Sequence, residues 1–320
     1  MDEPIPHWPG KLLDLGDQVV HVRTTPEGPV EKAVYVHGLA GSATNWTDLM
    51  DELRDEAQGY ALDLPGAGYS PEPPGGDYSI TAYAGAVTAL IERVGGPVHL
   101  LGNSMGGAVS VRVAATRPDL VRTLTLVSPA MPDLLPRYGP ARVMMSAAPR
   151  LGEWAVARLR ALPPERRVRA TMAMCYADTG RVHPGRLQDA VAEVCRRDEL
   201  PYAGPALVGS ARALVNEYFR WGEENLWRLA ERVTAPTLVV HGRHDRLVHP
   251  RMAARAGRAF SDVRLVLLPH AAHVAQMEYP ALVARHVRLL MRDGARATAS
   301  AVAGGDQGDV QNPEGYATVG

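Results

Sequence analysis

Apolar and polar positions alternate in short blocks along most of the chain, and the period of each block predicts its element. Residues 11–23 hold two apolar runs around the turn pair Gly16-Asp17, the pattern of a β-hairpin. Apolar runs of four or five residues at 33–36, 60–64, 98–101, 123–127, 237–240 and 264–268 read as strands. Between them, residues 81–93, 105–115 and 281–291 carry apolar side chains at helical spacing. Gly95-Gly96 marks a stop for the first of these helices. Strands alternating with helices predict an α/β protein with a mostly parallel sheet covered on both faces.

The alternation stops between residues 131 and 230. No strand pattern is present there. Helical stretches are expected at 142–162, 165–176, 185–197 and 205–231, separated by Pro163, Pro164, Pro184, Pro201 and Pro205. The expected organisation is a core of residues 1–130 and 231–295, a helical cap at 131–230, and a disordered, small and polar tail at 296–320.

At 320 residues, with 46% apolar and 22% charged residues, the composition is that of a globular protein. The net charge of −1 offers no excess of cations for phosphates, so a nucleic-acid partner is not expected. The first eleven residues lack the basic and apolar regions of a secretory signal, and no apolar run spans a bilayer. A cytoplasmic location without a membrane partner is therefore expected. Cys175 and Cys195 are expected as free thiols. Nothing in the sequence chooses between a monomer and a dimer.

The chemistry begins at Gly102-Asn103-Ser104-Met105-Gly106, a G-x-S-x-G pentapeptide between a predicted strand and a predicted helix. That context lifts a serine hydroxyl above the end of a sheet and leaves the next N–H at a helix start. A serine hydroxyl needs a base within hydrogen-bond reach, and the base needs an orienting acid. Among 11 histidines, His270 and His273 both lie beyond the 264–268 strand, where α/β proteins collect their chemistry. Asp245 follows the 237–240 strand and is the expected acid; Ser128 and Asp133, beyond the 123–127 strand, fit less well. His241, His244 and His249 surround Asp245, but their spacing is poor for zinc. An oxyanion needs two donors. Met105 N–H is one, and Leu39 N–H, in the Gly-containing loop after the 33–36 strand, is the other.

Five segments together resemble the α/β-hydrolase fold superfamily: HGLAGSATNW (37–46), DLPGAGYS (63–70), GNSMGG (102–107), HGRHDRLV (241–248) and HAAHVAQMEYP (270–280). In that family the catalytic histidine is followed by Glu after five residues and Pro after seven. Glu278 and Pro280 therefore select His273 over His270. The resemblance implies an eight-stranded sheet, a Ser104–His273–Asp245 triad and no cofactor. A serine at the elbow separates the chain from epoxide hydrolases and haloalkane dehalogenases. The elbow is also similar to that of hydrolases acting on carbon–carbon bonds of aromatic ring-fission products, whereas Leu39-Ala40 and Val274 depart from their pattern.

The expected function is hydrolysis of a small-molecule carboxylic ester with a largely apolar body. Carbon–carbon hydrolysis of diketo acids and a small-molecule receptor on the same scaffold are the alternatives. Trp154, Val248 and Val274 are candidates to line the substrate pocket. The cap adds Met144, Met145, Met172, Met174, Tyr218, Phe219 and Trp221, whereas Arg158 and Arg160 read as solvated helix faces.

Overall fold

Eight strands form one sheet in the order β1-β2-β4-β3-β5-β6-β7-β8. The structure is a computed structural model that describes residues 3–133, 147–148 and 150–304, with side chains as far as residue 294. The strands are β1 (Gly10–Asp14), β2 (Val19–Thr24), β3 (Lys32–Val36), β4 (Gln58–Leu62), β5 (Val98–Asn103), β6 (Val121–Val127), β7 (Thr237–Gly242) and β8 (Val263–Leu268). Only the β1–β2 and β2–β4 pairings are antiparallel. From β4 onward every neighbour is parallel.

The strand sequences explain their places. β5 is buried at every residue, as a central parallel strand covered on both faces must be. β8 closes the sheet and leaves Leu265 and Leu267 about half exposed. On one face, helices α2 (Ile80–Val94) and α3 (Met105–Thr116) pack on Val34, Leu100, Leu124 and Leu126. Ser79 caps the start of α2 by accepting from Ala82 N–H, and Gly95, at φ 83°, ends it. On the other face, α1 (Thr47–Leu53) and α11 (Pro280–Gly304) cover Tyr35, Leu101, Val127, Leu238 and Val240. Val283, Val287 and Leu290 of α11 lie on one stripe and are essentially inaccessible. Each contributes about 2 kcal/mol of burial to seating that helix.

Between β6 and β7 the described residues are helical: α4 (Leu151–Arg160), α5 (Pro164–Cys175), α6 (Pro184–Asp198), α7 (Ala203–Asn216) and α8 (Leu226–Glu231). The single stretch expected at 205–231 is broken. Arg220 and Trp221 are extended, Gly222 takes φ 67°, and the Asn225 side chain starts α8 by accepting from Trp227 N–H. Buried Arg112 of α3 holds this turn, pairing with Glu217 at 3.2 Å and Glu224 at 2.6 Å. The break turns Phe219 and Trp221 outward, 68% and 86% exposed, so neither is placed as pocket lining.

α1 and α9 (Arg251–Ala259) escaped the sequence reading; the second buries only Met252 and Ala256. A four-residue helix, α10 (Ala275–Glu278), precedes α11. α11 continues to Gly304, into the segment expected to be disordered from residue 296. Alanine at 295, 297, 299, 301 and 303 favours the helix, and Gly304-Gly305 is the first strong stop. Residues 305–320, and with them the rest of the expected tail, lie outside the described residues. Among the described residues no helix is long and apolar enough to cross a membrane.

Candidate active site

Ser104 sits where β5 turns into α3, with φ 54° and ψ −118°. A non-glycine residue rarely adopts this conformation, and it persists only where its surroundings impose it. Ser104 N–H donates to Val127 O at 3.0 Å, and Ser104 O accepts from Gly107 and Ala130 N–H at 2.9 Å each. Gly106 is required because any Cβ there would overlap the Val36 carbonyl. The turn leaves Ser104 partly exposed at the carboxyl edge of the sheet.

His273 and Asp245 come from the loops beyond β8 and β7. The His273 ring is buried, with Nδ1 at 2.9 and 3.1 Å from the two Asp245 carboxylate oxygens. Asp245 Oδ1 also accepts from Leu247 N–H at 2.8 Å and Val248 N–H at 2.9 Å. Burial disfavours the Asp245 charge, but His273 and these amides outweigh it and hold the carboxyl below its usual range. An ionised Asp245 keeps the proton of a neutral His273 on Nδ1 and leaves Nε2 as an acceptor. Asn103 ties this loop to the elbow: its Nδ2 donates to His273 O at 3.1 Å and to Val127 O at 3.0 Å. His270, the rival, is exposed on the outer side of the same loop.

The loop after β3 presses on the serine. A Cβ on Gly38 would lie 3.0 Å from Ser104 Cβ. His37 is buried and anchors this loop, its Nδ1–H donating to Gly38 O at 2.8 Å and its Nε2 accepting from Leu64 N–H at 3.0 Å. Burial pushes the His37 pKa down, in keeping with a neutral ring. Leu39 follows, half-buried, and Ala40 takes φ 60°. Met105 is the buried first residue of α3. The 63–70 loop braces this arrangement. Buried Asp63 accepts from His21 Nδ1 at 2.8 Å, Ala43 N–H at 2.6 Å and Tyr69 N–H at 2.9 Å.

The expected pocket residues separate. Val274 is buried beside His273, and half-buried Val248 packs on the core while donating to Asp245. Trp154 is 60% exposed on α4, with the Arg158 guanidinium 5.9 Å from its ring centre. Arg160 is not a solvated face: it donates to Asp198 O at 2.6 Å and pairs with the Asp198 carboxylate. Met144 and Met145 lie outside the described residues. His241 is fully buried beneath Asp245, and burial pushes it down to about 4, so it is neutral near pH 7. Among the described residues no group of three His, Cys, Asp or Glu is arranged to hold a metal ion.

Sequence reasoning missed the contacts from the inserted helices. On α6, Glu193 accepts from Ser42 Oγ at 3.0 Å, and Arg197 donates to Ala40 O at 3.1 Å. Arg196 donates to Gly68 O and stacks 3.8 Å over Tyr69. At the end of α5, Cys175 O accepts from His273 N–H at 2.9 Å. No periodicity or motif signals such partners.

Comparisons with known proteins bear on the fold and the family. The chain is 28% identical over 265 residues to the dihydrolipoyllysine-residue acetyltransferase component of an acetoin cleaving system from Cupriavidus necator, covering 81% of this chain. It spans only 64% of that relative's length. It is 25% identical to a pimeloyl-[acyl-carrier protein] methyl ester esterase from Nitrosospira multiformis, over 83% of this chain and 95% of the other. The solved 2-hydroxy-6-oxo-6-phenylhexa-2,4-dienoate hydrolase of Rhodococcus sp. strain RHA1 superposes with a TM-score of 0.71 at 22% identity, covering 89% of this chain and 98% of that one. The α/β-hydrolase fold family matches residues 34–280. With an eight-stranded, mostly parallel sheet and this match over most of its length, the chain belongs to the α/β-hydrolase fold family.

Proposed function

We propose that the protein is a serine hydrolase cleaving carboxylic esters of small to medium, largely apolar molecules. The observation that carries this reading is the buried Asp245 carboxylate on His273 Nδ1, on a loop fastened to the strained Ser104 turn. His273 Nε2 takes the Ser104 proton while Oγ bonds to the ester carbonyl carbon. Leu39 and Met105 N–H receive the oxyanion, and each such donor is worth about 3 kcal/mol of barrier. The ester C–O bond breaks, the leaving alcohol takes the proton from Nε2, and water repeats the sequence on the acyl-enzyme. Asp245 stabilises the imidazolium formed at each step. Every group this reaction requires is a side chain or backbone amide of the chain, so it needs no metal or cofactor.

The relative named as a methyl ester esterase supports an ester substrate. The Gly102–Gly107 elbow also keeps carbon–carbon hydrolysis of a diketo acid as a second reading.

The test is reaction with a fluorophosphonate probe and a panel of p-nitrophenyl esters, beside Ser104→Ala. Labelling and turnover should both vanish in the variant, with the fold retained. Substantial turnover by Ser104→Ala would remove the proposal. Labelling with turnover only of a vinylogous diketo acid would select the carbon–carbon reaction.

A further inference from the structure

The histidine loop contains a buried acid that the proposed reaction does not consume. Glu278 ends α10 and is 5% exposed. Its Oε2 accepts from Ala272 N–H at 2.6 Å, the residue just before His273. Its Oε1 accepts from Ala177 N–H at 2.7 Å, two residues beyond α5. Between these bonds, His273 N–H donates to Cys175 O at 2.9 Å. Two consecutive amides of the histidine loop are thus fixed against the end of α5, one through the Glu278 carboxylate and one directly.

A carboxylate suits this place and an amide does not. Both donors are backbone N–H groups, and an ionised carboxylate offers two acceptor oxygens with no proton of its own. A carboxamide would satisfy one N–H and set its own NH2 against the other. Burial opposes the Glu278 charge and pushes its pKa up, the surrounding amides and the Arg181 guanidinium offsetting only part of that cost. A buried acid retained against its desolvation, with both oxygens on loop amides, has a holding role.

We infer that Glu278 is a positioning residue that sets the His273 backbone for proton transfer and makes that setting depend on the seating of the α5 end. The His273 ring is steered by Asp245, but its backbone is steered elsewhere: its carbonyl by Asn103, its N–H by Cys175, and the preceding N–H by Glu278. Releasing Glu278 frees the loop on one side and the 175–177 segment on the other. Ring position relative to Ser104 Oγ then varies, although every proposed reacting group is still present. The inference rests on the hydrolase reading for its effect on rate, but not for its effect on structure.

The experiment uses the full chain with Glu278→Gln and, as a milder second variant, Glu278→Asp, whose shorter side chain reaches one amide only. Steady-state ester hydrolysis is measured together with two readouts that need no substrate. These are amide hydrogen exchange of the segments around Ala177 and Ala272, and the far-downfield proton resonance of His273 Nδ1–H. In Glu278→Gln, kcat should fall about 10- to 100-fold, as for a small misplacement of a catalytic group, while KM changes far less. Both segments should exchange faster together, and the downfield resonance should broaden or shift. Glu278→Asp should fall between the variant and wild type, and decides the matter if Glu278→Gln does not fold. Unchanged exchange and an unchanged resonance in either folded variant would overturn the inference, whatever happens to the rate. Turnover retained by Ser104→Ala would instead remove the hydrolase reading and leave the structural result standing.

Discussion

Replacing Asp245 by Asn tests the proposed chemistry at its most constrained point. In the native site Oδ1 accepts two amides, Leu247 and Val248 N–H, and lies 3.1 Å from His273 Nδ1, while Oδ2 faces that nitrogen more closely, at 2.9 Å. An asparagine has one acceptor oxygen, and the two amides claim it. Its NH2 then takes the Oδ2 position and points hydrogens at Nδ1. The ring must answer with a lone pair there, which moves its proton to Nε2, the atom that should receive the serine proton. Turning the amide over restores the productive tautomer but leaves two amides facing NH2. At about 1–3 kcal/mol for each unsatisfied group, that rotamer lies about 2–6 kcal/mol higher. The loss in kcat should therefore be between about 30-fold and about 20,000-fold, at about 1.4 kcal/mol per decade. The assay is steady-state hydrolysis of a p-nitrophenyl ester, with the melting temperature as control for folding. A folded Asp245→Asn protein with more than about a tenth of wild-type kcat would refute the argument, because that loss equals only about 1.4 kcal/mol.

Two further outcomes follow from the same geometry. Gly38→Ala puts a methyl 3.0 Å from Ser104 Cβ and 3.3 Å from Asn103 O, so the serine must give way by a few tenths of an ångström. Ester turnover should drop about tenfold with little change in urea midpoint, and wild-type kcat would show that the serine tolerates the shift. The second concerns pH. His37 and His241 are buried with pKa values pushed down by desolvation, His241 to about 4. In the unfolded chain both titrate near 6.5, so their stabilising effect is present above that pH and is lost as pH falls towards the folded values. Urea unfolding should show stability declining between about pH 6.5 and 4, by up to about 3 kcal/mol from His241 alone. A flat profile over that window would contradict the neutral, buried state of these rings.

Much of this architecture was legible because burial leaves a period in the sequence. β5 reads as an unbroken apolar run since both of its faces are covered, and the β1–β2 hairpin shows its Gly16-Asp17 turn. The Ser104, Asp245 and His273 positions were legible for another reason: short motifs at strand ends mark turns whose chemistry is local. α9 was not legible, because its apolar stripe is one methionine and a few alanines set among arginines, of which only Met252 and Ala256 are buried. The break at Arg220–Asn225 was hidden because helical and extended residues there look alike until Arg112, more than 100 positions away, supplies the charge that holds them. Glu193, Arg197 and Glu278 were invisible as braces for the same reason. Their partners are the Ser42 hydroxyl, the Ala40 carbonyl and the Ala177 and Ala272 amides, and a sequence records residue types, not the groups that folding sets against them.

The hold of α6 on the loop after β3 bears on how such a protein is remodelled. Arg197 on Ala40 O and Glu193 on Ser42 belong to the inserted helices, yet they support a loop of the core. A chimera given the whole 131–230 segment of another α/β-hydrolase-fold protein would lose these two struts at once. Its poor turnover would then say little about the new segment. Grafts that keep Glu193, Arg197 and residues 175–177, and exchange only side chains elsewhere on the inserted helices, separate selectivity from rate. Drift of this lineage towards new substrates has the same constraint: residues not gripping the core are free to vary, while wholesale replacement of the insertion requires the loops beneath it to change as well.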